Sequence, residues 1–160
     1  MSTQRRRIDI VLIAIAVLSV AAVAVALVSQ HVFNIDPCPW CILQRVIFLT
    51  IALAAVLGLA WRSAAGRMAG SGLAMLLALS GIAAALWQHF QAAASSSCKL
   101  TLADNIVSAM KLDTLLPDVF LARASCADAA VKVLGVPYEF YSLALFVLIG
   151  VAAWRVLRTR

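Results

Sequence analysis

Charge is scarce in this sequence: Asp, Glu, Lys and Arg make up 12% of its 160 residues, and only seven of those are acids. Soluble domains carry about 25% charged residues, so the chain cannot dress an ordinary water-facing surface. There is no soluble βαβ pattern, which excludes a thioredoxin-like reductase. The +6 net charge comes without a mixed basic and aromatic patch, and nucleic acid is excluded as a partner. No internal repeat is present, and Ala93-Ala94-Ser95-Ser96-Ser97 is the one low-complexity stretch, read as a flexible tether for Cys98. No second close cysteine pair accompanies Cys38 and Cys41, since 27 residues separate Cys98 from Cys126. A four-cysteine zinc site, which wants two close pairs, is set aside and no metal is expected.

What the chain has is apolar: 64% of residues are hydrophobic and the mean hydropathy is +1.01. Four runs carry it: 10–28, 42–61, 68–87 and a fourth from about Pro137 to Trp154. A helix needs about 17–25 residues to cross the hydrocarbon, so the reading is an all-α, integral membrane four-helix bundle forming a single domain over 1–160. The first run follows Arg5-Arg6-Arg7 but is longer than the roughly 7–15 residues of a signal-peptide core, and Gln30 to Asp36 offers no small-residue cleavage site. It is expected to stay as a span.

Four spans put both termini on one side. Arg5, Arg6, Arg7, Arg62, Arg67, Arg155, Arg158 and Arg160 fall on that side, while six of the seven acids fall on the other, Asp9 excepted. The positive-inside rule makes the arginine side cytoplasmic. Loops 29–41 and 88–136 are then extracytoplasmic, and all four cysteines lie where disulfides persist. In the long loop Leu102, Ile106 and Met110 recur at i, i+4 and i+8 among polar residues, the pattern of a short helix in the membrane interface. Pro117, Ser125 and Asp128 suggest irregular, mobile chain beyond it. Trp40, Trp61, Trp87 and Trp154 flank the spans and read as an aromatic belt.

Cys38-Pro39-Trp40-Cys41 opens the second span. Proline favours the first helical position, which makes Cys38 the N-cap and puts Cys41 in the first turn. Unpaired N–H groups there stabilise a thiolate, so one cysteine of the pair should be a good leaving group. Arg45 follows Cys41 by four residues on the same face, one turn inside the apolar run. A cation there costs roughly 2.5–3.5 kcal/mol at a helix centre and less near an end. It either snorkels to headgroups or holds the polar head of a lipid-soluble cofactor. Gln44 is its polar neighbour on an adjacent face. His89 ends the third span, where a lone histidine is structural or titrates near neutrality. Four cysteines allow three pairings, of which Cys38 with Cys41 and Cys98 with Cys126 is the most local. Two pairs at one face, one fixed on a helix start and one on a loop, read as a relay.

These residues resemble the disulfide bond formation protein B (DsbB) family of quinone reductases. The resemblance covers almost the whole chain. It rests on Cys38-x-x-Cys41 followed by Arg45, on His89, on Pro117-Asp118-Val119-Phe120 leading to Cys126-Ala127, and on Leu134-Gly135-Val136-Pro137 before an aromatic-rich fourth span. Gln44 stands where some members carry an acid. The resemblance implies an inner-membrane oxidoreductase that reoxidises a DsbA-like periplasmic thiol oxidase and reduces ubiquinone or menaquinone. It implies catalytic roles for Cys38, Cys41, Cys98 and Cys126. Cys98 would take the mixed disulfide, Cys126 would exchange with Cys38, and Cys41 would face the quinone beside Arg45 and His89. Such a partner sits near about −120 mV while structural disulfides lie below about −300 mV, a gap of roughly 8 kcal/mol that an acceptor must drain.

Two other readings compete: a membrane protein with two static disulfides, and a vitamin K epoxide reductase-like enzyme, in which a loop pair usually precedes the Cys-x-x-Cys. The topology is testable. A reporter fused after Arg160 or within Ser63 to Gly66 is expected in the cytoplasm, and one within Ala93 to Ser97 in the periplasm. A periplasmic C-terminus would overturn the four-span reading.

Overall fold

A computed structural model describes residues 3–92, 102–129 and 131–159. Four long helices dominate it: α1 (Thr3–Val32), α2 (Pro39–Ala60), α3 (Ala64–Trp87) and, after three short helices and a hairpin, α7 (Tyr138–Arg158). Each expected span lies within or overlaps one of them, and all four are long and apolar enough to cross a membrane. The helices outrun the apolar runs because polar residues at the ends continue the backbone ladder. α1, for instance, takes in Arg5 to Arg7, and its 30 residues span about 45 Å at about 1.5 Å per residue, more than the roughly 30 Å of hydrocarbon.

α2 is the central helix. Ile47, Phe48, Ile51, Ala54 and Ala55 are all buried, against α1 on one side and α3 on the other. Leu53, Val17, Leu76 and Leu148 are more than two-fifths exposed, as expected where lipid replaces water as solvent. α2 and α3 approach closely at Gly58 and Gly70, whose missing side chains bring backbone near backbone. Higher up, Phe48 stacks on Phe146 with ring centroids 4.0 Å apart, and this joins α2 to α7. At the end holding the termini, Arg67 makes a bidentate ion pair with Asp9, and Arg5 donates to the carbonyl of Arg62. Asp9, the acid that departs from the charge segregation, is thus the counter-ion of a buried arginine.

At the opposite end the described part of the long loop carries more helix than its composition suggests. α4 (Leu102–Ala109) packs Ala103 and Val107 inward onto α2. Leu102, Ile106 and Met110 face outward, so the stripe seen in the sequence is the surface of this helix and not its core. Beyond this helix, where irregular chain was expected, two helical turns form, α5 (Leu112–Leu115) and α6 (Pro117–Phe120). They persist because Phe120 is buried with Val107 against Ile42. A two-residue hairpin, β1 (Lys132–Val133) with β2 (Val136–Pro137), leads into α7. Its turn needs positive φ at Leu134 and Gly135. Trp40 departs from the expected belt: it is buried, with its ring 6.3 Å from that of Trp87.

A Cβ added at Gly70 would lie 2.8 Å from the carbonyl oxygen of Ala54 and 2.9 Å from the Cα of Gly58, while one at Gly72 would meet nothing within 4 Å. Gly70→Ala is therefore expected to destabilise the bundle by about 1–3 kcal/mol. Gly72→Ala should be neutral or stabilising by up to about 1 kcal/mol. Thermal unfolding in detergent checks both; equal stability of the two variants would show that the helices part without cost.

Candidate functional site: three thiols at the head of a membrane cavity

Because Pro39 has no N–H, the first free donors of α2 belong to Trp40 and Cys41. Both are aimed at sulfur. The Cys41 N–H donates to the Cys38 sulfur at 3.3 Å, with Cys38 in the extended N-cap conformation the sequence predicted. The Trp40 N–H donates to Cys126. The loop is pinned there because the N–H groups of Arg123 and Ala124 both reach the carbonyl of Pro37, at 3.0 and 3.3 Å. Cys126 then sits in a turn closed by Ser125 and Asp128.

Cys38 lies between the other two sulfurs. Its Sγ is 2.9 Å from that of Cys41 and also hydrogen-bonds Cys126. Contact with Cys126, then with Cys41, together with complete burial, pushes the Cys38 thiol far up. The hydrogen bond from Cys38 draws the Cys126 thiol down, against its own partial burial. Of the two, Cys126 is therefore the readier to ionise and Cys38 the readier to keep its proton. A thiolate poised against a neighbouring sulfur is the arrangement that thiol–disulfide exchange requires. Cys98 lies outside the described residues.

Cys41 borders a cavity of about 880 Å³ between α1, α2 and α7. Its head is polar, with Gln44, Arg45, Gln88 and Glu139, and its length is apolar, with Leu18, Val25, Phe48 and Leu145 among the lining. Arg45 does not snorkel. It is 5% exposed, and its Nη1 donates to Gln30 Oε1 and to the carbonyl of Val119, each at 2.8 Å, while Nη2 reaches the carbonyl of Ala26 at 3.4 Å. Gln30 in turn donates to the carbonyl of Asp118. One guanidinium thus fastens α1 and α6 to α2 and leaves further N–H donors of its five.

α3 ends in a single π-helical turn, Gln88–Ala92, a distortion common at functional sites because it re-aims side chains. Gln88 donates to the Cys41 sulfur at 3.4 Å and accepts from Gln44 at 2.8 Å. His89 Nδ1 lies 2.8 Å from Glu139 Oε1. Glu139 forms the cavity wall with His89 behind it, so the histidine meets the cavity through its carboxyl partner. Gln30, Gln88 and Glu139 escaped the sequence reading. Their signal was a polar residue at the end of an apolar run, which by itself does not say which way the side chain faces.

The family model for Disulfide bond formation protein DsbB matches residues 6–156. Disulfide bond formation protein B of Burkholderia pseudomallei (strain 1106a) is 35% identical over 94% of this chain and 89% of its own length. Disulfide bond formation protein B 1 of Pseudomonas savastanoi pv. phaseolicola is 36% identical over 88% of this chain and 83% of its own. The Herminiimonas arsenicoxydans protein of the same name is 32% identical over 88% of this chain and 89% of its own. With four membrane helices, thiols gathered at a helix start and similarity along nearly its whole length, this chain belongs to the disulfide bond formation protein B family.

Proposed function

We propose that this disulfide-forming oxidoreductase is quinone-dependent and reoxidises a DsbA-like periplasmic thiol oxidase, passing the electrons through its two cysteine pairs to ubiquinone or menaquinone. The observation that carries the reading is the line of sulfurs Cys126, Cys38 and Cys41, which ends at the polar head of an apolar cavity. Both termini are assigned to the cytoplasm and the cysteines to the periplasmic face, where the partner would reach the Cys98 and Cys126 pair.

In this scheme the partner's thiolate attacks Cys98, and the electron pair of the Cys98–Cys126 bond leaves on Cys126. Cys126 attacks Cys38, forming a Cys38–Cys126 bond and releasing Cys41 as a thiolate. The depressed thiol of Cys126 and its fixed contact with Cys38 favour that step. Static staples would need neither a shared sulfur neighbour nor a cavity beside Cys41.

A quinone has a small polar ring and a long apolar tail, and the cavity offers a polar head with an apolar length. When bound, it supplies an acceptor for two electrons and two protons. Arg45 would stabilise negative charge at the ring through its remaining N–H groups. The hydrogen bond between His89 and Glu139 holds a proton at the cavity wall, and the partly exposed His89 ring links it to water.

Cys98→Ser and Cys126→Ser are expected to abolish oxidation of the soluble partner while Cys38 and Cys41 are still oxidised by added quinone. Thiol trapping checks this, and Cys38 and Cys41 that stay reduced in Cys98→Ser with excess quinone would refute the two-stage relay. Arg45→Ala should raise the KM for quinone and slow turnover roughly ten- to hundredfold, the equivalent of a charge-assisted hydrogen bond of about 1.5–3 kcal/mol. Arg45→Lys, lacking the planar fork, should recover only part. Steady-state kinetics on folded, inserted protein decide it; unchanged kinetics in Arg45→Ala would remove Arg45 from the quinone site.

A further inference from the structure

We infer that Gln88 is a positioning residue for Cys41: its side-chain amide, aimed by Gln44, donates a hydrogen bond to the Cys41 sulfur and steadies the charge that arrives there. The inference rests on the relay proposed above and adds to it the group that receives the leaving thiolate.

Gln44 and Gln88 are each 4% exposed, in the part of the molecule where an unpaired amide is most costly. Their contact has a direction. The Gln44 NH2 group donates to Gln88 Oε1 at 2.8 Å, which occupies the acceptor end of Gln88 and turns its donor end toward Cys41. Gln88 Nε2 lies 3.4 Å from that sulfur, within hydrogen-bonding range of the larger atom. The π-helical turn that begins at Gln88 presents this side chain to the cavity head, while its neighbour His89 engages Glu139.

A neutral thiol is a weak acceptor and a thiolate a strong one. The Gln88 interaction therefore gains strength only as the Cys38–Cys41 bond opens, which is when it can accelerate the step. In that exchange the Cys126 thiolate attacks Cys38, the Cys38–Cys126 bond forms, and the electron pair of the broken bond leaves on Cys41. No proton moves and the oxidation level of the set is unchanged. A carboxylate at position 88 would have about the same shape but would turn an acceptor, and a negative charge, toward the same sulfur.

The test uses reduced, full-length protein in detergent, pulsed with iodoacetamide at neutral pH, with modification of each cysteine followed by peptide mass spectrometry. Alkylation of Cys41 is expected to slow about tenfold in Gln88→Leu and further in Gln88→Glu. Gln44→Leu, which leaves the Gln88 amide present but unaimed, should slow it by a smaller factor. Thermal stability and the alkylation rate of Cys126 report on structural damage and should stay near the parent's. If Gln88→Leu misfolds, the near-isosteric Gln88→Glu and Gln44→Leu carry the test. Cys41 alkylated at the parental rate in folded Gln88→Glu would overturn the inference. The assay needs neither quinone nor partner, so its failure leaves the proposed relay standing. Conversely, a parent protein that does not reduce quinone but shows these alkylation changes would refute the relay and keep the role of Gln88.

Discussion

The site depends on the unpaired N–H groups at the start of α2. Every α-helix begins with donors that have no partner in the helix, and here Pro39 removes one while the next two turn to sulfur. Both cysteines of the motif belong to this helix start, Cys38 as its cap and Cys41 in its first turn. Cys126 joins them because Pro37, immediately before the cap, offers its carbonyl to two consecutive N–H groups of the loop. A short piece of backbone thus brings a residue about ninety positions away into contact with the motif.

Around that centre the polar residues divide the work between holding and reacting. Arg45 is the clearest case: its bonds to Gln30, Val119 and Ala26 tie three segments together, yet it also borders the cavity beside Cys41. A buried cation in a membrane helix is tolerated when carbonyls and amides replace its hydration. The pairs of Gln44 with Gln88 and His89 with Glu139 follow the same logic at the ends of α3 and α7. Each polar group at the cavity head is thereby held in one orientation, the preorganisation an electrostatic site requires.

Lipid as solvent explains the remainder. Leu and Val face outward over most of α1, α3 and α7, so burial does not drive these helices together. Close approach at Gly58 and Gly70 and ring stacking at Phe48 and Phe146 do so instead. The outward stripe of Leu102, Ile106 and Met110 on the loop helix suits a position at the membrane surface.

Much was determined by the sequence alone, wherever a local rule applies. Apolar length made the four spans, Pro39 after Cys38 made the cap, and Cys41 with Arg45 four residues later shared a face because the helical period requires it. What failed locally was anything set by distant contacts. The turns α5 and α6 exist because Phe120 finds Ile42 and Val107, Trp40 leaves the aromatic belt for a place beside Trp87, and Asp9, already on the arginine side, finds its partner in Arg67. Gln30, Gln88 and Glu139 read as span-end polar residues until the fold gave them partners. A polar side chain at the end of an apolar helix can face water, headgroups or the bundle interior. Only the packing of α1, α3 and α7 around α2 decided that these three face inward.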